Sequence, residues 1–165
     1  MTTKCSQHRY DQIRRNAHPY CALCGSENRR GLGLSFTLQP DGDVMATFEA
    51  HKLFQGYEGI LHGGVTSALL DSAMTHSLFA HGIVAVTGEM TVRFREPVAL
   101  DEPLVVRGRM IRSQPPLHYT QAEITQGGRL RAKATGKFME ISPIEQKAPS
   151  EALSSQPHSN GGVHQ

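Results

Sequence analysis

The segment LHGGVTSALLDSAMTHSLFAHGIV, Leu61 to Val84, holds a lone carboxylate, Asp71, among alanine, leucine and methionine, and a glycine pair, Gly63-Gly64, where a helix would begin. The free N–H groups at a helix start point outward and carry partial positive charge. Glycine lets another molecule come close to them. A carbonyl oxygen held there is polarised, and the charge it gains under attack is stabilised. Gly64 and Asp71 are seven positions apart, two helical turns, and so share a face with Ser67, Ala68, Thr75 and Leu78. The helix reads as apolar nearly all round and therefore as buried nearly all round. An unpartnered aspartate in such a setting costs several kcal/mol. Asp71 is thus expected to work as a base, or to be paired in the core, or to sit where the helix meets solvent.

The helix needs a scaffold. A short polar helix is expected from Ser6 to Ala17, ended by His18-Pro19. Gly31 to Leu38 alternates, with Leu32, Leu34, Phe36 and Leu38 on one face, and predicts a half-buried strand. A turn at Pro40 to Asp43 returns the chain into a strand from Val44 to Ala50. After the long helix, which His81 and Gly82 terminate, four β segments are expected. They run from Val84 to Phe94, Leu104 to Arg112, Leu117 to Thr125 and Arg129 to Ile141. A single apolar helix buries itself most simply against a sheet wrapped round it, which gives the α+β class.

These residues resemble a known family. FQGYEGILHGG (Phe54 to Gly64), Asp71 nine positions after His62, and VTGEMTVRFREPV (Val86 to Val98) are similar to the hotdog-fold thioesterases, in particular the PaaI-like acyl-CoA thioesterases. The resemblance covers roughly Gly31 to Glu140. It implies an antiparallel sheet around a central helix, and a homodimer or dimer of dimers with sites between subunits. The implied reaction is hydrolysis of acyl-CoA to an acid and free CoA, with no cofactor. Carried over, the Gly64 N–H would bind the thioester carbonyl, with Gly63 and Ser67 lining the substrate. Asp71, from the facing subunit, would be general base or nucleophile. Thr87 would hold the water or the acid, His62 would position the loop, and Gln55 would orient the carbonyl or the water. Some relatives carry Asn where this chain has Gly56 and Pro where it has Glu58. Two other readings share the fold: a non-catalytic acyl-CoA binding module, and a hydratase, which the placement of the acid inside the helix disfavours.

The domain expected is 31–142, preceded by an N-terminal extension (1–30) carrying a CxxC pair and followed by a disordered tail (143–165) that lacks large apolar residues. Cys5, His8, Cys21 and Cys24 have the count and spacing of a four-ligand zinc site, and His18 lies near. The plainer expectation is that the cysteines are small buried residues and no metal is bound. His76 is expected to be a core residue. A net charge of +2 with scattered bases gives no reason to expect nucleic acid. No apolar run could span a bilayer, the N-terminus lacks a secretory core, and three cysteines suit a reducing cytoplasm.

Overall fold

The computed structural model describes residues 6–141, so the expected tail and Cys5 lie outside the described residues. Helix α1 (Gln7–Ala17) is followed by strands β1 (Thr37–Leu38) and β2 (Val44–Glu49) and a single 3-10 turn at Lys52–Phe54. Helix α2 (Gly63–Phe79) then precedes β3 (Ala85–Phe94), β4 (Pro103–Gln114), β5 (Leu117–Gln126) and β6 (Arg129–Glu140). The six strands form one antiparallel sheet in the order β1-β2-β4-β5-β6-β3. The α+β expectation and the sheet-wrapped helix are what the chain adopts.

The sheet is held to α2 by a close approach at Gly108 on β4. A Cβ there would stand 2.1 Å from the carbonyl oxygen of Ala73. Only glycine lets the two backbones meet. From this contact onward α2 is enclosed: every residue from Ser72 to Phe79 is buried, with Met74, Leu78 and Phe79 fully so. The first two turns differ. Gly63 and Gly64 are exposed, while Val65, Ser67, Ala68 and Asp71 are half-buried. The expectation of burial all round is therefore corrected: it holds for the C-terminal half, and a strip along the N-terminal half, including Asp71, faces outward from this chain.

Two strand expectations are also corrected. The Gly31 to Leu38 segment joins the sheet only at Thr37–Leu38. Earlier, Leu32 and Leu34 donate their N–H groups to Ala22 and Leu23 at 2.9 and 2.8 Å, so this stretch pairs with the N-terminal loop. Leu34 and Phe36 are still buried, which is why the alternation was visible. In β3 the pairing with β6 skips Gly88, a bulge between Thr87 and Glu89 that breaks the regular alternation. β3 is a sheet edge, with Val86 and Phe94 about half exposed.

The N-terminal extension is part of the same core. Tyr10 is buried, and its hydroxyl meets His76 Nδ1 at 2.5 Å. The His76 ring stacks on Phe36 at 4.4 Å between centroids, and its Nε2 has no partner among the described residues. Burial holds His76 near a pKa of about 3, well below its usual range, and pushes the Tyr10 hydroxyl up. His76 is thus a core residue, as expected.

Candidate active site

His62 is the N-cap of α2. Its Nδ1 accepts the Gly64 N–H at 2.9 Å, and its carbonyl accepts from the Thr66 N–H at 3.0 Å. The donor expected to meet a carbonyl is therefore engaged by the ring two residues earlier. The Gly63 N–H has no partner among the described residues. The loop before the cap is tied down by side chain and backbone together. Gln55 Oε1 accepts the Gly59 N–H at 2.9 Å, His62 N–H donates to the Phe54 carbonyl at 2.8 Å, and Leu61 N–H to that of Val98 at 2.9 Å. Gln55 thus spends its oxygen on the loop rather than aiming it at a carbonyl or water. A side chain at Gly56, where some relatives carry Asn, would be tight against the cap: a Cβ there would lie 3.1 Å from His62 Cα. Ser67 Oγ donates back to the Gly63 carbonyl at 2.9 Å.

Beside this helix mouth lies a groove of about 330 Å³, lined among others by Tyr57, Ile60, Gly63, Phe94, Arg95 and Pro97. Its rim carries Glu96, which binds Arg129 and Arg131 at 2.7 and 2.9 Å. Arg131 is thereby occupied, while Arg95 has no ion pair among the described residues. Phe94 to Pro97 belong to the strand motif of the sequence, where Arg95, with Arg93 and Arg131, is a candidate contact for CoA phosphate while Phe94, Glu96 and Pro97 carry no expected role. Their signal was the aromatic and the proline closing an edge strand. Met74, Leu78 and Phe79 do not reach this groove and lie in the core.

Two turns along α2, the Thr87 hydroxyl donates to Asp71 Oδ1 at 2.7 Å, joining the helix to the edge strand. The other carboxylate oxygen has no partner among the described residues. Thr87 is exposed and Asp71 half-buried. Such a carboxylate, held on one oxygen and free on the other, can take a proton from water or attack a carbonyl.

The expected zinc quartet is not assembled as read. Among the described residues His18, Cys21 and Cys24 stand together, and exposed His8 does not join them. Several strand bases are neutralised at the surface, Arg107 by Asp41 and Asp43 and Lys137 by Glu89. No helix of the described residues is long and apolar enough to cross a membrane.

Comparison with known proteins shows what the chain is similar to. Residues 58–133 match the family model for the thioesterase superfamily. Human acyl-coenzyme A thioesterase 13 is 27% identical over 100 residues, which are 59% of this chain and 67% of that protein. A thioesterase superfamily protein of solved structure superposes with a TM-score of 0.69 at 26% identity, over 74% of this chain and 63% of that one. The PaaI protein of the E. coli phenylacetic acid degradation operon shares the fold, with a TM-score of 0.68 at 21% identity over 82% and 96% of the two chains. The sheet wrapped on α2, the His-Gly-Gly mouth and these likenesses agree: the chain has the hotdog fold and is similar, over residues 58–133, to the thioesterase superfamily.

Proposed function

We propose that this protein hydrolyses an acyl-CoA thioester to a carboxylic acid and free CoA, at a site built between two copies of the chain. The observation that carries the reading is the Asp71–Thr87 pair on the open strip of α2, with one carboxylate oxygen free. Gly64 and Asp71 are seven residues apart on one helix, about 10 Å along its axis. Reacting atoms must come within roughly 3–3.5 Å. One helix therefore cannot polarise a carbonyl and activate its attacker at the same bond. Two helices laid antiparallel would bring the mouth of each beside the acid of the other. The unpaired β3 edge, with exposed Val86 and Phe94, supports the same partner, since an open apolar edge favours pairing.

In this reading the thioester carbonyl takes the Gly64 N–H once the exposed His62 ring swings off it, with the free Gly63 N–H beside it. Asp71 of the facing copy draws a proton from water as the water oxygen attacks the carbonyl carbon. The C–S bond then breaks, and the proton passes to the departing CoA sulfur. Direct attack by the carboxylate, followed by hydrolysis of the anhydride, gives the same products. Thr87 fixes Oδ1 so that Oδ2 faces the reaction. The groove beside Phe94 and Pro97 receives substrate, and Arg95 faces CoA phosphate. We place the reaction in the cytoplasm, where CoA esters and reduced thiols coexist. A binding module is the second reading, favoured by the engagement of the Gly64 N–H with His62.

The test is hydrolysis of short, medium, long and aryl acyl-CoAs, followed by loss of thioester absorbance, for wild type and Asp71→Ala. Turnover lost by at least about a hundredfold in the variant, with the oligomer intact, is expected. Undiminished turnover in Asp71→Ala would sink the mechanism. Binding of acyl-CoA without turnover would establish the module.

A further inference from the structure

At the far side of the fold from the helix mouth, the end of α1 and the loop after it bring three metal-binding side chains together. The donor atoms of His18, Cys21 and Cys24 all lie within 4.8 Å of one another, and His18 Nδ1 is 3.8 Å from Cys24 Sγ. Donors around a tetrahedral zinc ion, with arms of about 2.0–2.3 Å, stand roughly 3.5–4 Å apart. Closing this cluster onto one ion needs only small side-chain adjustment.

The backbone around the cluster is already fixed. The Cys21 N–H donates to the His18 carbonyl and the Gly25 N–H to that of Cys21, at 3.4 and 3.0 Å. Ala22 and Leu23 are held by their pairing with Leu32 and Leu34. Gly25 is required where it stands, since a Cβ there would lie 2.4 Å from the Cys21 nitrogen. The tight turn aims the backbone N–H groups of Leu23 and Cys24 at the Cys21 sulfur, an arrangement that stabilises a thiolate. The His18 ring is set edge-on against Phe79 at 5.0 Å, which orients it. Cys24 is buried, and the Arg14 guanidinium reaches its carbonyl at 3.5 Å.

We propose that His18, Cys21 and Cys24 bind one thiophilic divalent cation, with zinc the chemistry that fits, and that this ion fixes the loop after α1, whose His18 ring packs on Phe79 of α2. Two thiolates and an imidazole are the ligands zinc prefers, and the remaining position is left to an exogenous donor. The electrostatics agree with the geometry. The Cys24 thiol, the His18 ring and the two N–H groups hold Cys21 down to about 3, while Cys24, sharing its proton with Cys21 and buried, is pushed up. The ion is remote from Asp71 and has no part in the hydrolysis.

The experiment is titration of the reduced, metal-free full chain with cobalt(II) and then zinc(II), with thermal melts in parallel. Expected are one equivalent bound, thiolate-to-cobalt charge-transfer bands with the ligand-field bands of a tetrahedral site, displacement by zinc, and a melting temperature that rises with zinc. Cys21→Ser is expected to weaken binding at least a hundredfold and to abolish the thermal shift, and His18→Gln to weaken it at least tenfold. If Cys21→Ser fails to fold, protection of two thiols from alkylation by stoichiometric zinc in wild type carries the same test. Lack of charge-transfer bands would overturn the proposal. So would binding undiminished in Cys21→Ser, with tail histidines such as His158 as the ligands, or a Cys21–Cys24 disulfide that takes up no metal after reduction.

Discussion

His62 Nδ1 accepts the N–H of Gly64 at 2.9 Å, so the helix mouth is closed by the ring of its own cap. If the ring must leave for a carbonyl to enter, removing it does two opposed things. His62→Ala should cost about 1 kcal/mol of stability through the lost cap, lowering the melting temperature by roughly 3 °C. It should leave kcat/KM equal to wild type or higher, since no ring need be displaced. A loss of kcat/KM by a hundredfold with the fold intact would show that His62 acts on the substrate directly.

Thr87 is exposed and its hydroxyl serves Asp71 alone, so its loss is expected to touch rate rather than folding. Thr87→Val should lower kcat about tenfold with KM little changed, and the thermal midpoint should move by no more than a degree or two. Thr87→Ser should restore most of the rate. Equal rates for the valine and serine variants would remove Thr87 from the mechanism.

Gly108 offers a severe test of how α2 is seated. Gly108→Ala places a methyl into the Ala73 carbonyl and must push helix and strand apart. A cost of about 3 kcal/mol or more is expected, read by urea unfolding, at the upper end of overpacking effects. A loss under about 1 kcal/mol would show that the helix can shift sideways without penalty.

His76 sets an acid limit on the fold. It is neutral when folded, with its pKa lowered to about 3, while the unfolded chain binds the proton near 6.5. The unfolded state therefore holds more protons between those values, and stability rises with pH across that window. Unfolding free energy should fall as pH drops from about 6.5 toward 3, by up to about 1.4 kcal/mol per pH unit from this group. In His76→Gln the slope should flatten by about one proton. Urea melts of both proteins at pH 7, 5.5 and 4.5 measure it, and parallel slopes would refute the assignment. Tyr10→Phe should cost about 1–3 kcal/mol by leaving Nδ1 unpaired.

The long helix, the hairpin and the meander were legible because their apolar residues recur at the right period and their turns carry glycine and proline. Asp71, Thr87 and the His-Gly-Gly mouth were legible as residue types at a spacing. What period could not give was partnership. The Gly88 bulge, the pairing of Leu32 and Leu34 with the Cys21–Cys24 loop, and the His62 cap are all contacts between distant or unusual partners. His62 was missed as a cap because serine, threonine, aspartate and asparagine lead at that position. The even apolarity of α2 also hid a division that only the sheet creates. Gly108 seats one half of the helix and leaves the strip around Asp71 outside.

That division has a consequence for how the protein can diversify. Met74, Leu78 and Phe79 do not line the groove; its floor includes the core residues Leu61 and Val98, and its outer wall is Tyr57, Ile60 and Phe94. Tyr57 is 83% exposed and Phe94 56% exposed, so substitutions there draw little on folding stability. If the groove receives the acyl group as proposed, a lineage could trade one acyl group for another at that outer wall, in single steps and in any order, without first acquiring compensating changes in the core.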